Sequence, residues 1–358
     1  MNTVYDTIIS ADDGTRAGLF AATAQRIGTT PQNVEKDFWV CWTLDALFNG
    51  LPAGPRLLFK GGTSLSKGFG LIRRFSEDID VTVFRDDLGE AHSVEELQAL
   101  SAKKREAALD AIREACEAFI NGAMLGNLNQ IAADASARNG IPDGLLKVIP
   151  DAHDRQTLLV QYPTATQSDP YIPKVVKIES GAKSALDPNS VRSMRPYLQA
   201  EAVDLDLEVP NVTTVEAERT FWDKIVILHG LRRWYDGKGV LRNGGNRISR
   251  HYYDLHLLMQ SEVGLAAIDD VALGADCVAH ARMFFNRPAF DLTSAKAPSF
   301  ALMPEGDMRN AIRQDYLAMS GMIFGEPPSF DAVLESISQL QARVNISVDV
   351  PPENPTPY

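Results

Sequence analysis

Leu57-Leu58-Phe59-Lys60-Gly61-Gly62-Thr63-Ser64-Leu65, followed by Ser76-Glu77-Asp78-Ile79-Asp80-Val81, constrains this chain more than any other stretch. An apolar run of strand character meets two glycines, a Thr-Ser pair opens a helix, and a second strand carries two aspartates. Residues two apart on a strand point to the same face. Asp78 and Asp80 therefore project together, while Ile79 and Val81 face the core. Two adjacent carboxylates repel one another unless a cation lies between them. Hard oxygen ligands suit Mg²⁺, or Mn²⁺ in its place, shared with phosphate groups. The glycines let backbone pass close to a phosphate, and the helix that follows offers free N–H groups at its positive end. Lys60, Gly61, Gly62, Thr63 and Ser64 are the candidate phosphate-binding residues, and Asp78 and Asp80 the candidate metal ligands.

Each half alone is weak. Asp-x-Asp is common in solvated turns, and many Gly-Gly-Thr-Ser runs only turn a strand into a helix. In this order, each flanked by apolar strand residues, they describe a nucleotidyltransferase site.

A chain of 358 residues can hold two domains, or one core with helical additions. Its apolar content of 45% and charged content of 23% are those of a soluble globular protein. No apolar run approaches a membrane span, and no basic residue precedes an apolar stretch at the N-terminus, so no secretory signal is expected. Cys41, Cys116 and Cys277 are far apart and odd in number, which argues against a disulfide framework or a zinc site. A reduced, cytoplasmic protein is expected.

The net charge of −12 argues against a general nucleic-acid coat protein but says little about one face. Segment 232–250 runs against it. Arg232, Arg233, Lys238, Arg242, Arg247 and Arg250 stand there against Asp236, with Trp234 and Tyr235 interleaved, as a phosphate-tracking surface with base-stacking rings requires. The bland alternative is a solvated, Gly-rich loop; RNA contact is the sharper expectation.

Thr30 and Pro31 open a helix through Leu47. Strands are expected at 56–60, 79–84, 157–162, 174–179 and 203–208, and helices at 93–119 and 123–137. Beyond Val212 the pattern is helical, at 214–231, 249–260, 264–283, 308–322 and 328–345. The fold class is α/β (α+β): a mixed nucleotidyltransferase-fold sheet with N-terminal helices and a helical C-terminal domain. The expected boundaries are an N-terminal helical segment 1–50, a catalytic core 51–212, a helical domain 213–347 and a loose tail 348–358.

Glu179 ends a strand after the acidic pair, where a third carboxylate completes a metal site or takes a proton from an attacking hydroxyl; a solvated strand end is the alternative. Asp204 and Asp206 read as the polar face of an edge strand. Asp254 lies in an apolar-aromatic helix and needs a partner, which Lys224 or Arg250 could supply. His229, His251 and His256 lack zinc-ligand spacing.

Glu35-Lys36-Asp37-Phe38-Trp39-Val40, 59–67, 75–81, 218–225, His251-Tyr252-Tyr253-Asp254-Leu255-His256 and 313–331 together resemble the AbiEii/AbiGii-type nucleotidyltransferase toxins of bacterial toxin–antitoxin and phage-defence systems. The resemblance implies metal-dependent transfer of a nucleoside monophosphate from an NTP to an acceptor, with RNA such as a tRNA 3′ end foremost, and a cognate antitoxin as partner. It gives Asp78 and Asp80 to Mg²⁺, 61–64 to the phosphate cradle, Lys224 to the NTP phosphates and Asp254 to the later catalytic acid. Two departures stand out. His251 replaces the first acid of an Arg-Asp-x-x-Asp-Leu motif, and the basic insert 232–250 lengthens the gap between Lys224 and Asp254; the spacing from Gly62 to Asp78, longer than in the wider superfamily, is one this family tolerates. A protein hydroxyl as acceptor, or a catalytically silent binding module, are the rival readings.

Overall fold

The computed structural model describes residues 1–166 and 174–346; the tail expected to be loose lies outside them. The helices, in chain order, are α1 (Tyr5–Ile9), α2 (Asp13–Ile27), α3 (Pro31–Asp45), α4 (Gly61–Lys67), α5 (Val94–Ala99), α6 (Ala102–Phe119), α7 (Leu125–Asn139), α8 (Ala217–Lys238), α9 (Ser249–Leu258), α10 (Glu262–Asp269), α11 (Val271–Phe284), α12 (Gly306–Met319) and α13 (Phe330–Val344). The strands are β1 (Leu57–Lys60), β2 (Asp78–Val83), β3 (Lys147–Pro150), β4 (Thr157–Gln161), β5 (Val175–Gly181), β6 (Asn189–Met194) and β7 (Val209–Val215). The chain divides into two compact units, one of residues 1–220 with 318–327, the other of 221–317 with the chain from 328.

The first unit is built on one mixed sheet in the order β3-β4-β5-β2-β1-β7-β6. At its centre β2 runs antiparallel to β1 and parallel to β5, and β1 runs parallel to β7. Helix α3 packs on β2, β5 and β7 and is buried along its length from Gln32 to Asp45. Its start follows from local chemistry: the Thr30 hydroxyl accepts from the Asn33 N–H at 3.2 Å, and Pro31 occupies the first turn, where no backbone donor is needed. Trp39, from this helix, stacks on Tyr162 at 5.3 Å between centroids. The returning segment 318–327 lies against the approach to β2. Phe75 N–H donates to the Met322 carbonyl at 2.7 Å, and Phe324 N–H to the Arg73 carbonyl at 2.9 Å.

In the second unit α13 packs on α9. Phe330, Val333, Leu334, Ile337, Leu340 and Val344 are its buried residues, spaced three and four apart as an amphipathic helix requires.

The structure corrects several expected elements. Residues 203–208 form turns, not a strand, so Asp204 and Asp206 do not share a strand face; the strand begins at Val209, where β6 supplies a ladder. Strands β3 and β6 have no expected counterpart: β3 is only four residues long, β6 is mostly polar, and each gains its identity from a neighbour. The helix expected over 93–119 breaks before Ser101, which caps α6, and that over 264–283 breaks at Asp270, whose carboxylate accepts from Leu273 N–H at 2.9 Å. Helix α8 runs on to Lys238, so the basic segment starts as helix rather than loop.

Candidate active site

Strand alternation sets the acidic face. On β2, Ile79, Val81 and Val83 are fully buried, while Asp78 and Asp80 are half-exposed. On β5 the same alternation buries Val176 and Ile178 and leaves Lys177 and Glu179 half-exposed. Asp80 is paired in register with Lys60 on one side and Glu179 on the other, and Asp78 with Lys177. Side chains paired in register share a face, with strands about 4.8 Å apart. Asp78, Asp80 and Glu179 therefore gather on one face, flanked by Lys60 and Lys177. The Lys177 ammonium donates to the Glu179 carboxylate. Burial resists its charge, but that bond, with the charges of Glu179, Asp78 and Asp151, holds it above the ordinary lysine range.

The β1–α4 turn borders this face, with Gly61 against Asp80. Gly61 has φ +82°, a backbone that side-chain-bearing residues rarely adopt. A Cβ there would lie 2.9 Å from Asp80 Cγ, with Oδ2 nearer still. Glycine is thus what lets the turn seat the Asp80 carboxylate. A Cβ on Gly62 would meet Arg74 Nη2 at 2.5 Å and Ser76 Oγ at 3.2 Å. Thr63 and Ser64 are buried. The Thr63 hydroxyl donates to the Asp78 carbonyl at 2.5 Å and shares a hydrogen bond with Ser76 at 2.8 Å, while Ser64 donates to the Gly61 carbonyl at 2.9 Å. The Thr63 side chain thus stitches the turn to β2, and Ser64 braces the turn itself. The turn's backbone, with the N–H groups that any helix start leaves without intrahelical partners, is the part suited to phosphate.

The Asp78 carboxyl is pushed up to about 6, first by burial and then by the like charges of Glu77, Glu179 and Asp80, with Lys36 opposing them. Such a concentration of negative charge calls for a cation. Among the described residues no group of three or more His, Cys, Asp or Glu side chains is gathered closely enough to hold a metal by itself. Two carboxylates with the remaining positions left to phosphate and water is the donor set that Mg²⁺ favours, and Asp78 with Asp80 fits it.

Helix α3 supports this face through three successive buried charges that sequence reasoning did not assign. The Glu35 carboxylate accepts from Ala165 N–H at 2.5 Å and from the Thr166 hydroxyl. Lys36 pairs with Glu77, next to Asp78, at 2.9 Å. Asp37 pairs with Lys67, in the last turn of α4, and accepts from Tyr197 N–H at 2.6 Å. The Lys67 ammonium also lies 3.3 Å from the centre of the Tyr197 ring. A usable signal was present: three charges in a row entering the run Phe38-Trp39-Val40-Cys41-Trp42 cannot all reach water, and buried charges require partners.

In the second unit Lys224 of α8 and Asp254 of α9 form an ion pair at 2.9 Å, with side-chain exposures of 7% and 0%. Of the two partners expected for Asp254, Lys224 is thus one the structure provides. In the basic segment, Arg232 bonds Asp236 and Glu305 at 2.8 Å each, and Arg233 donates to the Ser299 carbonyl at 3.0 Å. Trp234 packs on Phe290, with Arg242 over the same ring at 5.4 Å. Arg247 donates its backbone N–H to Asp315 at 2.7 Å. Lys238 is exposed and Arg250 half-buried.

The family described as "Nucleotidyl transferase AbiEii toxin, Type IV TA system" matches residues 42–336, most of the chain. The chain belongs to the AbiEii nucleotidyltransferase toxin family. No curated protein matches it. Among solved structures it is similar to MenT4, a nucleotidyltransferase toxin from Mycobacterium tuberculosis H37Rv, at 16% identity and a TM-score of 0.49, over 93% of this chain and 90% of that one. The AbiEii match takes in the Gly-Gly turn, both aspartates, Glu179, Lys224 and Asp254. This AbiEii protein is accordingly a nucleotidyltransferase. None of its described helices is long and apolar enough to cross a membrane.

Proposed function

We propose that this AbiEii protein transfers a nucleoside monophosphate from an NTP to RNA, with a tRNA 3′ end as the favoured acceptor, and that it does so in the cytoplasm as a toxin restrained by a cognate antitoxin and active in phage defence. The observation that carries the reading is the face that Asp78, Asp80 and Glu179 share beside a glycine turn. Asp78 and Asp80 would hold a divalent cation, which when bound neutralises phosphate charge and orients the α-phosphate for in-line displacement. The chain's own contributions are positional. The turn at Gly61 and Gly62 receives phosphate on backbone N–H groups. Lys60, opposite Asp80, adds positive charge to that edge. Glu179 is the carboxylate of this face that the Asp78–Asp80 pair leaves over, and it is half-exposed, so it is the group suited to orient the acceptor hydroxyl or take its proton. Lys224 and Asp254 enter as a pair on which transfer depends. Lys238, Arg242 and Arg250, together with Arg232, Arg233 and Arg247, make the basic segment that favours an RNA acceptor.

The test incubates purified protein with Mg²⁺, each α-labelled NTP in turn and total cellular RNA, beside Asp78→Asn/Asp80→Asn and Lys224→Met/Asp254→Asn. The expected result is nuclease-sensitive label from one nucleotide with the wild type, and none with either double variant. Label that resists nuclease and yields to protease would move the acceptor to protein. Label retained by Asp78→Asn/Asp80→Asn would sink the site.

A further inference from the structure

The acidic face contains one group that neither the motif nor the family match assigns: Lys177. It is the in-register neighbour of Asp78 on β5, two residues before Glu179 on the same face, and its ammonium is bonded to the Glu179 carboxylate. Both side chains are about a third exposed, 35% and 39%. Pairs this exposed add little to stability, so the fold does not depend on this one. Its place is what distinguishes it. Three carboxylates on one face would ordinarily converge on a cation, yet no three acids are gathered closely enough to share one among the described residues. Glu179 is turned to its own strand's lysine instead.

We propose that Lys177 divides the labour of the three carboxylates: it holds Glu179 out of the cation's coordination shell, so that Asp78 and Asp80 take one divalent cation and Glu179 is left for the acceptor hydroxyl. This deepens the reading above and rests on it. The physical reason is competition for one carboxylate. A fixed ammonium two residues away along the strand is always present, whereas a divalent cation must shed water to gain a further ligand. With Lys177 in place, the cation's remaining positions stay with water and phosphate. Without it, Glu179 faces a cation across about one strand spacing with no countercharge of its own.

The experiment uses the full chain and Mn²⁺ alone. Binding is followed by electron paramagnetic resonance, and the waters on bound Mn²⁺ are counted from water-proton relaxation. Wild type, Lys177→Met, Lys177→Met/Glu179→Gln and Asp78→Asn/Asp80→Asn are compared, with Lys177→Arg retaining the charge. The wild type should bind one Mn²⁺ that Asp78→Asn/Asp80→Asn loses. Lys177→Met should bind about tenfold tighter, from removal of one nearby positive charge, and with one fewer coordinated water as Glu179 enters the shell. Adding Glu179→Gln should restore the wild-type water count, and Lys177→Arg should behave as wild type. Unchanged affinity and water count in Lys177→Met would overturn the proposal, as would tighter binding with no water lost, which would mark simple charge removal. Mn²⁺ binding indifferent to Asp78→Asn/Asp80→Asn would instead remove the cation site itself, a separately visible failure.

Discussion

Replacing Gly61 by alanine should separate the catalytic from the structural cost of one methyl group. The backbone there has φ +82°, and forcing an L side chain into the left-handed region costs about 1–2 kcal/mol. The new Cβ would lie 2.9 Å from Asp80 Cγ and 3.2 Å from Asp80 Cβ, inside the 3.4 Å at which ordinary contact begins. Asp80 must therefore retreat by roughly half an ångström at Cγ and further at its oxygens, where a misplacement of about 1 Å costs on the order of 100-fold in rate. Gly70 is the internal control, since it has φ +65° and a methyl group added there would meet nothing within 4 Å. Gly61→Ala and Gly70→Ala should thus lose similar stability in urea unfolding, about 1–2 kcal/mol each. Only Gly61→Ala should lose transfer, by about 10- to 100-fold, assayed at a temperature where both variants are fully folded. Equal transfer rates in the two variants would refute the claim that the glycine exists to seat the Asp80 carboxylate.

Lys36→Met should destabilise the protein by about 3–5 kcal/mol, because it leaves Glu77 buried without that countercharge, and Lys36→Met/Glu77→Met should recover most of that loss; urea unfolding of the two variants decides, and a single variant as stable as wild type would count against the pair. The Asp78 carboxyl, pushed up to about 6, should make Mn²⁺ binding weaken as pH falls through about 6, with Asp78→Asn showing a weak and pH-insensitive residue of binding. A raised carboxyl binds its proton more tightly in the folded state, so this group adds stability as pH drops below 6. His229 does the opposite. Burial, with Arg233 nearby, lowers it from 6.5 despite the Asp291 carbonyl, and its Nδ1 accepts from Ala301 N–H at 3.1 Å. Stability from His229 is therefore full above 6.5 and lost as pH falls from there toward its folded value; His229→Gln should flatten that part of the urea-midpoint profile. Charge reversal at Lys238 and Arg250 should reduce RNA labelling several-fold at low salt, with the difference shrinking as salt rises; labelling independent of both residues would detach the basic segment from the acceptor.

How much of this was legible beforehand depends on the range of the interaction. The helix cap at Thr30, the strand alternation of Asp78 and Asp80, and the glycine turn before α4 are local, and the chain states them within a few residues. Strand β6 and the turn at 203–208 were not legible, because a strand's identity comes from its neighbour rather than from its own residues. The same limit hid the end of α8, which continues through Arg232, Arg233 and Trp234, where carbonyl, carboxylate and ring partners at Met303, Glu305, Ser299 and Phe290 receive them.

The sequence by itself determined the chemistry available: two same-face aspartates, a glycine turn before a helix, a third strand acid, and the order of motifs that marks an AbiEii nucleotidyltransferase. Only the tertiary structure decided which groups meet. Register across β1, β2 and β5 places Lys60, Asp80 and Glu179 in one row and Lys177 beside Asp78. Packing of α3 buries Glu35, Lys36 and Asp37 and gives each a partner distant in the chain. The physical reason is that local geometry fixes where a side chain points, whereas its charge balance depends on neighbours that only pairing and burial bring within reach.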